Sequence, residues 1–275
     1  PFLLLAFAQQ ASAALDFNSN CEKAYKKITY LKFTEARALI ATEKRNNPQN
    51  AIVLLLENYL DFYTIFTGNK LNDLRTFEKN KDARLNKLEQ ENPSSPYYLY
   101  CQAEINVQWA LCHFKFQEYV TGALELNRAY SMLKSCKEKY PAFLPVNKSW
   151  GMINIMLDVI PPGMKKALSA FGLKGDSRYG VRLMEEILNQ PDGSKYHYLY
   201  DETVFYYGYV GLDFLKEKSS YASLHTRIMK MDEENMLKTF IKAYLEMRSA
   251  RTNEVIQTLL NRPSNPGYYP LFILD

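Results

Sequence analysis

The sequence predicts an all-α protein, a superhelix (α-solenoid) of antiparallel helix hairpins. Apolar residues recur at three-and-four spacing along most of the chain, the periodicity of helices that bury one face. Short loops separate the periodic segments, and short loops join antiparallel helices. No segment competes with the alternating pattern of a half-buried strand. We therefore expect well over half of the residues in helices and no sheet.

The predicted helices follow one another with breaks at Asn-Pro, Gly-Asn and Pro-Ser-Ser-Pro. In the first half they are Glu22–Tyr30, Thr34–Arg45, Ala51–Phe66, Leu71–Glu91, Tyr97–Gln117 and Tyr119–Lys139. In the second half they are Val146–Val159, Met164–Phe171, Arg178–Gln190, Tyr196–Lys216, Tyr221–Met229, Glu233–Arg248 and Glu254–Asn261.

The composition is that of a folded protein and excludes some partners. The 275 residues are 47% hydrophobic and 23% charged, and a chain of this kind buries a sizeable core. A net charge of +4, spread evenly, gives no basis for nucleic-acid binding. The 21 Tyr and 15 Phe suit helix packing or, alternatively, a ligand-facing groove.

The first thirteen residues read as the end of a secretory signal. An apolar run, FLLLAFA at residues 2–8, precedes the small residues Ala11-Ser12-Ala13, and this is the order found before signal cleavage. Cleavage after Ala8 or Ala13 is expected. Cys21 follows Asn18-Ser19-Asn20, which is no lipobox, so we expect no acyl anchor. We predict an exported protein, in the periplasm or associated with the outer membrane, and expect the sequence to begin inside its own leader.

Two segments share a repeat-like frame in which a small residue, an apolar residue one turn on and a terminating Pro keep the same spacing. The segments are Ala36-x3-Ile40-x2-Glu43-x4-Pro48 and Ala129-x3-Leu133-x2-Cys136-x4-Pro141. The frame resembles the second half of a tetratricopeptide repeat, and Glu43 departs from it. The resemblance implies a diverged array of helical hairpins over residues 14–275.

The glycine-rich stretch near residue 175 is not a phosphate loop. Gly175 and Gly180 satisfy G-x-x-x-x-G, but Val181 and Arg182 stand where Lys and Ser/Thr are needed. A helix rather than a buried strand precedes it. We interpret the glycines as turn residues, with Gly172 as a helix C-cap and Asp176 or Ser177 capping the next helix.

The same region resembles a known family. The order of Asn154 to Pro161, then Phe171-Gly-Leu-Lys-Gly-Asp176, then Tyr179-Gly-Val-Arg-Leu183 is similar to the central region of the eukaryotic inclusion-body clearance family of tetratricopeptide proteins. The resemblance covers residues 95–215. With its leader, the chain resembles the exported tetratricopeptide-like proteins of Bacteroidota. This implies the fold rather than an activity.

No catalytic or metal-binding constellation is recognisable, so we expect a non-enzyme without cofactor or metal. His113, His197 and His225 lie far apart and none belongs to H-E-x-x-H. Cys101 and Cys136 lie at similar distances from the turn at residue 118, which permits a disulfide between antiparallel helices. We favour buried free thiols.

One basic cluster flanks the glycine turns and is the only binding site that the sequence offers. Its members are Lys165, Lys166, Lys174, Arg178 and Arg182. Cations beside helix N-termini bind anions such as a phospholipid headgroup or an acidic peptide, which would give peripheral membrane association. The alternative is a solvated face.

The function predicted is an exported scaffold that binds a peptide or partner protein on a concave helical surface. The alternative is a lipid-binding or small-ligand-binding protein of the cell envelope. Oligomeric state and partner identity cannot be read from the sequence. The Pro-Gly turn and aromatic run of residues 265–275 resemble the entry to a further hairpin. We therefore expect the natural precursor to continue beyond Asp275.

Overall fold

A computed structural model describes residues 15–160, 168, 170–212 and 221–264, which contain twelve α-helices and no strand. The first six helices are α1 Ser19–Thr29, α2 Phe33–Asn46, α3 Ile52–Gly68, α4 Leu71–Leu88, α5 Pro96–Lys115 and α6 Tyr119–Lys139. The next six are α7 Pro145–Asp158, α8 Ser177–Leu188, α9 Tyr200–Val210, α10 Tyr221–Met229, α11 Met236–Arg248 and α12 Thr252–Leu260. The predicted all-α fold is confirmed.

Two predicted helices begin later than expected, for local reasons. Residues 197–199 form a 3₁₀ turn, so α9 starts at Tyr200 rather than at Tyr196. The helix placed at Glu233 starts at Met236 because the side chain of Asn235 accepts a hydrogen bond from the N–H of Leu237 at 2.9 Å. This is an N-cap. Only residues 168, 170 and 171 of the predicted helix 164–171 are described, and the predicted leader at 1–13 and the run at 265–275 lie outside the described residues.

The helices pack as six successive hairpins: α1 with α2, α3 with α4, and so on to α11 with α12. Each odd-numbered helix also contacts the next odd-numbered helix. The central odd-numbered helices α3, α5 and α7 are buried on nearly all sides, whereas the even-numbered helices bury one face. The odd-numbered helices therefore form the interior layer, and we call them the interior helices.

The first hairpin also contacts the loop between α10 and α11, which is distant in sequence. Lys26 Nζ lies 3.0 Å from a carboxylate oxygen of Asp232, and Lys32 Nζ lies 2.5 Å from one of Glu234. In a linear array, each repeat contacts only its neighbours. The described hairpins therefore depart from a strictly linear array, because the first hairpin also contacts the loop before α11.

Glycines near residue 175 serve helix packing as well as turns. A Cβ on Gly180 would lie 2.5 Å from the carbonyl oxygen of Gly151, and one on Gly175 would lie 2.2 Å from that of Asn154. Side chains at these positions would separate α7 from α8. Turn chemistry applies to Gly172, whose φ is +63° and which therefore lies in the region that favours glycine. The interpretation of Gly175 and Gly180 as turn residues was incomplete, because close approach of two helices is a tertiary property.

The repeat-like frame marks buried positions on α2 and α6. Ala36, Ile40 and Glu43 of the first copy are buried, as are their counterparts in the second. The departure from the frame has a structural reason: the carboxylate of Glu43 accepts side-chain hydrogen bonds from four asparagines. They are Asn18 at 2.8 Å, Asn20 at 3.0 Å, Asn47 at 3.0 Å and Asn50 at 2.7 Å. Glu43 thus ties α1, α2 and the loop before α3 together.

The cysteines are buried free thiols, the alternative favoured from the sequence. All four are free and buried, so the prediction of free thiols at Cys101 and Cys136 is confirmed. Burial also raises the pKa of Cys21 and that of Cys136, each to about 12. Among the described helices, none is long and apolar enough to cross a membrane.

Candidate functional site

The predicted basic turn is only partly within the described structure. Lys174, Arg178 and Arg182 are exposed around the start of α8, while Lys165 and Lys166 lie outside the described residues. The basic turn remains a prediction.

At the start of α8, two carboxylates already accept hydrogen bonds from backbone N–H groups that a bound anion would need. Asp176 is the N-cap, as predicted, and accepts a hydrogen bond from the N–H of Tyr179 at 2.9 Å. Asp158 accepts one from the N–H of Ser177 at 3.0 Å, and hydrogen bonding from Ser177 lowers the pKa of Asp158. An incoming anion would meet two negative charges here. An anionic partner would therefore have to bind the exposed side chains of Lys174, Arg178 and Arg182 without using these backbone amides.

The histidines form no common site. His113 is buried on α5 with its Nδ1 2.7 Å from a carboxylate oxygen of Glu118. His197 and His225 lie at the 3₁₀ turn and on α10. Within the described ranges, no group of three His, Cys, Asp or Glu side chains is arranged to hold a metal ion.

A fully buried lysine lies where the interior helices meet. Lys148 of α7 has no solvent exposure. Its ammonium donates to Glu202 at 2.5 Å and to the hydroxyl of Tyr59 at 2.7 Å, and lies 3.2 Å from a carboxylate oxygen of Glu104. Burial alone would favour the neutral amine, but the two carboxylates outweigh it and the pKa of Lys148 is raised. The three donors of the ammonium are satisfied.

Tyrosine hydroxyls complete the coordination of the two carboxylates. Tyr25 and Tyr63 both donate to Glu202, the latter at 2.7 Å, and Tyr59 donates to Glu104 at 2.7 Å. Burial, followed by the neighbouring carboxylates, raises the pKa of all three phenols. The phenols therefore stay protonated and act as donors.

Aromatic faces surround the same ammonium. The Nζ atom of Lys148 lies 5.8, 5.1 and 5.5 Å from the ring centroids of Tyr25, Tyr59 and Tyr206, within the range of cation–π attraction. We call this group the central network; its members are Tyr25, Tyr59, Tyr63, Glu104, Lys148, Glu202 and Tyr206. It draws side chains from α1, α3, α5, α7 and α9, and it fixes how the interior helices converge.

The central network was not predicted, although the sequence carries a signal of it in the form of charged residues within largely apolar helices. Lys148 and Glu104 are each an isolated charge within a largely apolar helix, and Glu202 follows Asp201 at the start of an aromatic one. Such residues are rarely buried unless they are paired. The pattern could have indicated buried charges, but it could not have identified their partners.

An aromatic strip extends from the central network towards the end of the described chain. The rings of Phe205 and Tyr209 on α9 lie 6.5 Å apart, those of Tyr209 and Tyr244 lie 6.5 Å apart, and those of Tyr244 and Phe240 on α11 lie 6.1 Å apart. All three pairs are nearly parallel, with interplanar angles of 19–26°. Tyr209 is 36% exposed. The aromatic strip (Phe205, Tyr209, Phe240 and Tyr244) is thus an apolar surface on two interior helices that reaches solvent.

Three clefts of about 480, 500 and 490 Å³ are lined by mixed polar and charged side chains. One lies between α10, α11 and α12. The second, which we call the seam cleft, lies between α1 and the segments 193–201 and 230–232. The third lies beside α10 and the end of α11. These linings differ from the mainly apolar walls of a typical small-molecule pocket.

Comparison with known proteins adds no relative. No family model matches the sequence, no curated protein matches it significantly, and no solved structure matches its fold significantly.

Proposed function

We propose that the six hairpins form a superhelix of the tetratricopeptide type, and that the protein is an exported scaffold that binds a peptide or partner protein on its interior helices. Two observations support the superhelix: the hairpins follow one another in order, and each contacts the next. The leader-like sequence at residues 2–13 supports export to the periplasm or outer membrane. Nothing in this proposal requires a catalytic group.

The aromatic strip carries the proposal. The central network occupies the point where α1, α3, α5, α7 and α9 meet, whereas the strip lies beyond it on α9 and α11 and reaches solvent at Tyr209. Tyr and Phe are enriched in protein interfaces because they contribute a large contact area at a low cost in side-chain entropy. Tyr209, at 36% exposure, would lie at the centre of such a contact.

The test is recovery of a partner from a cell-envelope extract by the wild-type protein and two variants. We expect Tyr209→Ser to lose the partner that the wild type recovers. Val120→Ser is the matched control, because Val120 is an apolar residue 70% exposed on α6, away from the aromatic strip. Equal recovery of the same partner by Tyr209→Ser and wild type would rule out the strip as the binding surface.

A second candidate function, binding of an anionic small ligand or lipid headgroup, is favoured by the seam cleft. Lys23, Lys195 and Lys230 line this cleft of about 500 Å³, and none has an ion-pair partner in the part of the chain that the structure describes. Sedimentation with phosphatidylglycerol vesicles tests it. We expect co-sedimentation that is lost in Lys23→Gln/Lys230→Gln, and no binding to phosphatidylcholine vesicles.

A further inference from the structure

A buried carboxylate beside two clefts has an oxygen without a partner. Glu246 on α11 is only 4% exposed. Its Oε1 accepts a hydrogen bond from the hydroxyl of Thr258 on α12 at 3.1 Å, whereas Oε2 has no hydrogen-bond partner among the described residues. Leaving a buried polar atom unpaired is unfavourable, and buried polar atoms are rarely left so. The unpaired oxygen therefore calls for a ligand or a bound water.

The position of Glu246 makes a ligand the better explanation. Glu246 and His225 line both the cleft of about 480 Å³ between α10, α11 and α12 and the neighbouring cleft of about 490 Å³. The carboxylate therefore lies in the wall that the two clefts share. A small movement of its side chain would present Oε2 to either cleft.

The two lysines that line the cleft, Lys238 and Lys242, donate no hydrogen bond to this oxygen. Lys238 is already engaged, with its Nζ 2.6 Å from Glu233 and donating to the carbonyl oxygen of Met231 at 2.8 Å. Lys242 Nζ lies 3.8 Å from Oε1 of Glu246, a distance too long for a hydrogen bond. Oε1 is also the oxygen that already accepts the hydrogen bond from Thr258. Among the described residues, Oε2 therefore lacks a hydrogen-bond donor, and Lys242 supplies only a distant ion pair with which an incoming cation would compete.

The rest of the cleft suits a cation on an aliphatic stem. Met229 lines the cleft between α10, α11 and α12 and is 45% exposed, and thioether side chains adapt well to aliphatic groups. We propose that Glu246 anchors a binding site for an alkylammonium or alkylguanidinium group, the chemistry at the ends of Lys and Arg side chains. The cationic N–H donates to Oε2, and the stem packs on Met229.

The proposal is independent of the aromatic strip. Tyr244 belongs to the strip and Glu246 to the cleft, and residues two apart on a helix point about 200° apart. A protein whose strip binds nothing could still bind a cation at Glu246. The two proposals therefore fail separately.

Nuclear magnetic resonance of the full chain labelled with ¹³C at the methionine methyl groups tests the site. The Met229 signal is assigned with Met229→Leu, and ethylguanidinium and ethylammonium chlorides are titrated at constant ionic strength. We expect a saturable shift of that signal with one or both cations and none with neutral N-ethylacetamide. Glu246→Gln, which keeps an acceptor for Thr258, should weaken the affinity at least tenfold.

Two further variants decide the matter without relying on Glu246→Gln alone. Glu254→Gln is the control, because Glu254 lines the same cleft but is exposed and paired with Arg251 at 3.3 Å; its affinity should stay within twofold of wild type. Lys242→Met removes the competing cation and should strengthen binding severalfold. The proposal is overturned if the wild type shows no saturable shift, if Glu246→Gln binds as well as wild type, or if Lys242→Met weakens binding.

Discussion

Replacing Lys148 with Met tests whether the central network holds the interior helices together. The change keeps the volume of the side chain but removes an ammonium that lies 3.2 Å from buried Glu104 and 2.5 Å from buried Glu202; among the described residues it is the one cation paired with either carboxylate. Removing one partner of a buried ion pair costs about 3–5 kcal/mol, since the other charge is left uncompensated. For a chain of this size we expect the melting temperature to fall by about 10 °C.

Thermal unfolding followed by circular dichroism at 222 nm measures the effect, provided that unfolding is reversible and two-state. Lys134→Met is the matched control because Lys134 is exposed on α6, and surface changes of this kind usually stay within about 0.5 kcal/mol. The double variant Lys148→Met/Glu202→Gln should lose less than the sum of the single variants, since its members share one network. If Lys148→Met melts within about 2 °C of wild type, the network does not stabilise the fold as argued.

Three other predictions follow from local geometry. Burial would raise the pKa of Glu43, but hydrogen bonds from asparagines outweigh it and lower the pKa from its usual value of 4.5. The ionised carboxylate therefore stabilises the fold above pH 4.5, and this contribution is lost as the pH falls through the lowered pKa. Between neutral and acid pH, the urea midpoint of Glu43→Gln should fall less than that of the wild type. Gly180→Ala places a Cβ 2.5 Å from a carbonyl oxygen of α7 and should destabilise by about 1–3 kcal/mol in urea unfolding. Gly211→Ala should not, because none of the described atoms would lie within 4 Å of its Cβ. Cys21 and Cys136, with pKa values raised to about 12, should not react with a thiol reagent at pH 8 unless the protein is unfolded, and rapid labelling of the native protein would contradict this.

Of the candidate surfaces, only isolated parts could be predicted from the sequence. Lys174, Arg178 and Arg182 were expected near the start of α8, where they lie exposed. The sequence could not show that Asp158 and Asp176 already bond the first amides of that helix. The aromatic strip was not predicted as a unit, because a high content of Tyr and Phe does not tell which rings share a surface.

The sequence by itself determined the helices, because helix formation depends on bonds four residues apart and on a periodicity visible in any short window. The N-cap at Asp176 and the positive φ of Gly172 belong to the same local chemistry. Only the tertiary structure decided which buried charges meet. Lys148 and Glu202 are 54 positions apart, and Tyr25 and Glu202 are 177 apart. Their pairing depends on how six hairpins turn relative to one another, since small changes of angle at each helix crossing accumulate along the stack.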